Sequence, residues 1–277
     1  MTMKRIFASL AGLLLAGATH AAAPTAPVSL TRLDCGKIVA FDLDEFSDTR
    51  AYVGRHKDLT ASCYLIRHGD TWMLWDTGLP RAMLNHVPDP KQGLDAVLTV
   101  TIVDQLAKLG LKPSDIAIVG ISHEHFDHTG QAADFPNAKL LIGKGDVDDM
   151  RGPGKDHAAA LAHWLNDGGA LEPVVGDKDL FGDGTVTMID LPGHTPGHHA
   201  LLVKLAHNGY VLLSGDTAHF AENYETNGVP SFNSNRADTL ASLDRFKKLA
   251  ANLHATVIIQ HEPADIAKLP PFPKAAD

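Results

Sequence analysis

The sequence predicts an α/β protein with its reactive groups at strand ends, and three observations carry that reading. Residues 116–121 (IAIVGI) are a continuous apolar run of strand length, as expected of a strand buried on both faces. Leu240, Leu243, Phe246, Leu249 and Leu253 recur at helical spacing and are expected to be core. The segments that leave the predicted strands are rich in His and Asp. The densest is residues 122–130 (SHEHFDHTG), where His123, His125, Asp127 and His128 follow directly on the apolar run.

At the N-terminus, Lys4 and Arg5 precede an apolar stretch over residues 6–18 and then small residues, with a cut expected after Ala21. This is the pattern of a secretory signal peptide. The apolar run is short for a membrane span, and no cysteine near the cut offers a site for a lipid anchor. The expectation is therefore a leader over residues 1–21, one domain over residues 22–277, and export to the periplasm or beyond. Losing Lys4 and Arg5 and no acids takes the formal net charge from -9 to -11. With a pI near 5.9 the chain has no basic footprint for nucleic acid or an anionic membrane. Its 44% hydrophobic and 21% charged content suits a soluble globular domain with a sizeable core. Export makes Cys35 and Cys63 disulfide-permissive, and sequence alone leaves their pairing open.

Residues 31–46 read as one or two edge strands, and 47–60 as loop. Residues 61–67 and 71–75 around His68-Gly69-Asp70 form a hairpin candidate. Asp76-Thr77-Gly78 follows, Asp76 being either a carboxylate that orients a ligand histidine or a turn former. The Pro- and Gly-bearing residues 80–98 suggest an irregular excursion over a site. A helix is expected over 99–109, stopped by Gly110, and a short strand over 138–142. Residues 144–171 read as a polar, partly helical insertion in which His157 and His163 are surface histidines. Apolar side chains of this insertion and of the 80–98 loop are expected to meet a substrate.

Further strands are expected at 185–190, 210–214 and 255–259. They deliver Leu191-Pro192-Gly193-His194-Thr195-Pro196-Gly197, then Gly215-Asp216, then Gln260-His261. His198 and His199 are read as structural. A carboxylate just past a buried strand end is costly unless paired or metal-bound. The proline-rich tail is expected to be loop, and no repeat or linker marks a second domain.

Alternate positions of an extended segment point the same way, so His123 and His125 can serve one metal while Asp127 and His128 serve another. Imidazole and carboxylate ligands without thiolate suit zinc, and also iron, manganese or cobalt. A coherent partition gives His123, His125 and His194 to the first ion, Asp127, His128 and His261 to the second, and Asp216 to both. Two ions at about 3.5–4 Å can share a hydroxide and polarise a substrate oxygen.

The ordered set HEHFDH, PGHTPGH, SGD and QH resembles the metallo-β-lactamase superfamily over roughly residues 35–263. The resemblance implies an αββα sandwich with a dinuclear metal site at the sheet edge, the seven residues above as ligands, and Asp76-Thr77-Gly78 as a strand-end motif beside the metals. Class B β-lactamases lack the bridging aspartate, and glyoxalase II adds a helical C-terminal domain where only sixteen residues follow His261 here. The compact, exported chain is most similar to N-acyl homoserine lactonases of quorum quenching, with methyl parathion hydrolase-like phosphotriesterases or another ester or lactone hydrolase as the alternative.

The resemblance implies two Zn2+ per chain and lactone opening by a metal-bridging hydroxide. Asp127 is then both ligand and proton handler. The expected partner is a small acyl lactone, without nucleic acid or a stable membrane anchor, and with a homodimer as an open expectation. Lactonases commonly carry a tyrosine three residues after the bridging aspartate, and His219 stands there instead. His219 is read as a donor to the carbonyl, an acid to the leaving alkoxide, or structural, with Tyr224 as another source of a phenol. A non-catalytic exported protein that sequesters zinc is the rival of a different class, and it predicts closed coordination and no hydrolysis.

Overall fold

Alternation of large apolar side chains along the strands gives both sheets a common buried face, and a computed structural model describes the result for residues 26–277. The predicted leader lies outside the described residues. The first sheet has seven strands: β1 (Val28–Ala40), β2 (Lys57–His68), β3 (Thr71–Trp75), β4 (Leu94–Val97), β5 (Ile116–Gly120), β6 (Lys139–Gly143) and β7 (Leu171–Val174), in the order β4-β1-β2-β3-β5-β6-β7. The second has five: β8 (Lys178–Asp179), β9 (Val186–Asp190), β10 (His199–Leu205), β11 (Gly209–Leu213) and β12 (Thr256–Ile258), in the order β12-β11-β10-β9-β8.

Tyr64, Met73 and Trp75 of the first sheet meet Met188, Leu201 and Leu213 of the second in one buried layer. The outer face of the first sheet, with Leu65, Leu74 and Val119, is covered by α1 (Ile102–Lys108), whose Ile102 and Leu106 face it. Phe246 and Ala250 of the long helix over Arg236–Leu253 cover Ile189 and Leu212 on the outer face of the second sheet. Helix, sheet, sheet and helix therefore stack as the expected αββα sandwich.

The hairpin 61–75 is present, with Ile66 opposite Met73. β1 corrects the edge-strand expectation: it lies between β4 and β2, and its bulge between Asp34 and Lys37 holds Gly36 at φ +119. Such a positive φ is reached most easily by glycine. The excursion over 80–98 contains β4, which forms the sheet edge instead. Cys35 and Cys63 form a disulfide between β1 and β2, answering the open pairing. That bridge lies under the turn after β3: a Cβ at Gly78 would stand 2.4 Å from the Cβ of Cys35.

β3, β5 and β6 run parallel, so their C-terminal ends share one side of the sandwich. The segments that follow β3, β5, β9, β11 and β12 hold Asp76, residues 122–130, His194, Asp216 and His261. Among the described residues no helix is long and apolar enough to cross a membrane.

Candidate metal centre

The structure brings all seven predicted ligands together at this edge. His123 Nε2, His125 Nδ1 and His194 Nε2 lie 3.0–3.1 Å from one another. Around a tetrahedral zinc with bonds of about 2.0–2.1 Å, neighbouring nitrogens stand about 3.3 Å apart. Asp127, His128 and His261 form a second group, and Asp216 joins the first; within each group, one ligand atom per residue lies within 4.8 Å of the others. Asp216 spans the two groups: Oδ2 is 3.4 Å from His194 Nε2, and Oδ1 is 3.0 Å from His261 Nε2 and 3.4 Å from His128 Nε2.

Partners on the far side of each ring fix which nitrogen faces inward. His194 Nδ1 donates to Asn233 Oδ1 at 2.8 Å, and His261 Nδ1 donates to the Thr60 carbonyl at 2.7 Å. His128 Nδ1 donates to Asp76 Oδ2 at 2.9 Å. Ser122 Oγ donates to the same carboxylate, which leaves it an acceptor for His123 Nδ1 at 3.1 Å. In its neutral form each of these four rings therefore turns a lone pair inward. His128 Nε2 and Asp216 Oδ1 are buried without a hydrogen-bond partner among the described residues. Lone pairs aimed at one another and at a carboxylate in a buried space repel unless a cation lies between them. The donor set thus fits two divalent ions of the zinc type.

Electrostatics divide the centre. Burial, aided by neighbouring imidazoles, holds His123 and His194 well below the usual histidine range, and burial lowers His125 to about 4. Burial alone would also depress His128, but the carboxylates of Asp127, Asp216 and Asp76 outweigh it and hold the ring well above that range. For Asp216, burial is outweighed by His261, His219 and His128, and its carboxyl is held well below the ordinary aspartate value. A carboxylate ringed by imidazoles stays ionised.

The Asp76 turn is stitched to the histidine segment. Asp76 adopts φ +59, and the Thr77 amide and hydroxyl both donate to the His128 carbonyl, at 2.6 and 2.9 Å. Asp76 is thus the orienting carboxylate of the two readings offered by the sequence. The segment 194–199 is held from outside by Asp146, whose carboxylate accepts from the Thr195 hydroxyl at 3.0 Å and the Gly197 amide at 2.6 Å. Burial raises Asp146 to about 7.

A cavity of about 300 Å³ opens onto the centre. Asp127, Asp216, His219 and His261 form its polar side, and Ile38, Phe46, Leu94 and Phe232 its apolar side. Of the two segments expected to meet a substrate, residues 80–98 bring Leu94 to this cavity, and the 144–171 insertion lines a neighbouring cavity beyond Phe126. His219 lies between Phe46 and Phe232, with ring centroids 5.1 and 5.7 Å away. Both of its ring nitrogens are buried without a hydrogen-bond partner among the described residues, and Nε2 is 3.2 Å from Asp216 Oδ2. Tyr224 is no alternative source of a phenol, because it packs on Phe246 under the second sheet. His157 and His163 stay near the surface as expected. His157 nevertheless has a partner that sequence could not reveal, with Nδ1 3.2 Å from Glu124. Asn233, Thr60 and Asp146 were also missed. Each acts across 39 residues or more, where no local spacing signals it.

Two three-ligand sets joined by one aspartate, each on a strand-end loop of an αββα sandwich, decide the family. Residues 56–261 match the metallo-β-lactamase superfamily. The chain belongs to this superfamily. Within it, N-acyl homoserine lactonase AttM of Agrobacterium fabrum is 35% identical over 182 residues, 61% of this chain and 68% of that protein. N-acyl homoserine lactonase AiiA of Bacillus thuringiensis subsp. kurstaki is 26% identical over 225 residues, 76% of this chain and 84% of that protein. A solved N-acyl homoserine lactone hydrolase with the product N-hexanoyl-L-homoserine at its catalytic metal centre shares the superfamily fold. Its TM-score is 0.77 at 23% identity, covering 91% of this chain and 100% of that chain.

Proposed function

We propose that the chain is a metal-dependent hydrolase that opens the lactone ring of N-acyl homoserine lactones. The observation that carries this reading is Asp216, with one oxygen facing each ligand set at the floor of a half-apolar cavity. In the proposal His123, His125 and His194 would hold one zinc ion and Asp127, His128 and His261 the second, with Asp216 available to both sets. Bound there, the two ions supply a lowered pKa for water and a polarised ester carbonyl.

The residues of the chain supply the rest. Asp76, Asn233 and the Thr60 carbonyl keep the ligand rings in the metal-binding tautomer. The apolar side of the cavity takes the acyl chain and excludes water around the ester. Asp127, at the cavity, accepts the proton of the attacking water. Hydroxide oxygen adds to the carbonyl carbon, the ring C–O bond breaks, and the proton passes to the leaving alkoxide. His219, whose ring nitrogens have no hydrogen-bond partner among the described residues, donates a hydrogen bond to the substrate carbonyl. Similarity to two lactonases supports the substrate class.

Export belongs to the proposal, supported by the leader pattern and by a disulfide, which persists in an oxidising compartment. The test of function is a panel of N-acyl homoserine lactones of several chain lengths, a phosphotriester and a β-lactam, assayed with the zinc-loaded protein. Ring opening of the lactones with no comparable turnover of the others is expected. Phosphotriester turnover without lactone opening contradicts the substrate assignment, and no turnover at all favours a zinc-sequestering protein.

A further inference from the structure

His198 and His199 are the two buried histidines of the segment 194–199 that take no place in either ligand set, and of these His198 is the one that reaches Asp216. Its two ring nitrogens are nevertheless both engaged. Nδ1 is 3.1 Å from the Leu191 carbonyl, which can only accept, so Nδ1 carries the hydrogen. Nε2 is then the acceptor, and it receives the Asp216 backbone N–H at 2.8 Å. The ring therefore spans from the end of β9 to the loop after β11, the two segments that present His194 and Asp216.

The backbone around Asp216 is built to admit this ring. Gly215 adopts φ +50, and a Cβ there would stand 2.6 Å from His198 Nε2. Asp216 is the second residue of its short turn, at φ -102, ψ 24, a position whose N–H has no partner within the turn. A buried amide left without an acceptor is destabilising, and His198 is the acceptor this amide finds.

We infer that His198 is a positioning residue for Asp216: by accepting the Asp216 amide hydrogen while tied to Leu191, it sets the carboxylate in register with both ligand sets. The inference rests on the metal-centre reading above. It predicts that the placement of the shared carboxylate is sensitive to a side chain that touches neither ion nor substrate.

The test compares zinc affinity, by competition with a chromophoric chelator, and lactone kinetics for the full-length holoenzyme and three variants. In His198→Leu neither hydrogen bond forms, and zinc affinity at the weaker site is expected to fall about tenfold or more, within the range seen when groups supporting metal ligands are removed. kcat is expected to fall with it while KM stays within about twofold, because the cavity walls are untouched. His198→Gln offers an amide oxygen near the position of Nε2 and is expected to recover most of the affinity. Gly215→Ala keeps His198 but displaces it, and is expected to behave like His198→Leu. If the leucine variant does not fold, the alanine variant carries the test.

Unchanged zinc affinity in both His198→Leu and Gly215→Ala overturns the inference, as does a glutamine variant no better than leucine. Zinc affinity is read without substrate, so a wild-type protein that binds two zinc ions but opens no lactone defeats the function proposed above and leaves this inference standing or falling by its own measurement.

Discussion

Asp76 Oδ2 accepts a hydrogen bond from His128 Nδ1 at 2.9 Å, across 52 residues of chain. The bond turns His128 Nε2 inward, 3.4 Å from Asp216 Oδ1. Asp76→Ala is therefore expected to weaken zinc binding about 10–100-fold while far-UV circular dichroism stays unchanged. Chelator competition reads the change, and affinity equal to wild type would show that the turn does not orient the ring.

His219 faces the cavity, and among the described residues its ring nitrogens have no hydrogen-bond partner. His219→Phe keeps an aromatic ring between Phe46 and Phe232 but loses the hydrogen-bonding edge. kcat for lactone opening is expected to fall about 100-fold, the lower range for a group that donates to a reacting oxygen, with two zinc ions retained. A variant with wild-type kcat assigns the ring to packing alone.

The Cys35–Cys63 bridge closes a loop with a sequence separation of 28 and lies under Gly78. For a loop of this length the chain-entropy account gives about 3–4 kcal/mol of stabilisation. The double variant Cys35→Ala, Cys63→Ala is expected to melt roughly 10 °C lower, taking about 2–4 °C per kcal/mol for a chain of this size. Differential scanning calorimetry measures it, and an unchanged Tm would mean that the bridge adds no net stability.

Asp146 has its folded-state value raised by burial from 3.8 to about 7. Between those values the folded chain holds the extra proton, so the contribution of Asp146 to stability is fully present below 3.8 and is lost as pH rises towards 7, by at most about 1.4 kcal/mol per pH unit. Asp146→Asn keeps an acceptor for the Gly197 amide and removes the titration. Its urea midpoint is expected to lose less between pH 5 and pH 8 than that of wild type, and parallel pH profiles would contradict this.

What was legible in the sequence was local. Residues 122–130 follow a run apolar enough to be a buried strand, and His194, Asp216 and His261 each stand just past a strand end, so their chemistry and placement could be read together. The supporting contacts were not legible, because Asn233, Asp146 and the Thr60 carbonyl reach the site across 39, 49 and 201 residues. β7 and β8 were missed because their runs, LEPV and KD, are short and mixed, which a sheet edge tolerates. β1 looked peripheral because Gly36 interrupts its alternation, and that interruption is a bulge within an interior strand. His198 read as structural because nothing in its neighbourhood names Asp216 as its partner.

The central claim is that two ions share Asp216, and anomalous diffraction from crystals of the zinc-loaded protein at the zinc edge tests it most directly. Two peaks about 3.5–4 Å apart are predicted, one among His123, His125 and His194, the other among Asp127, His128 and His261, with one Asp216 oxygen against each. A single peak, or peaks away from these residues, would contradict it.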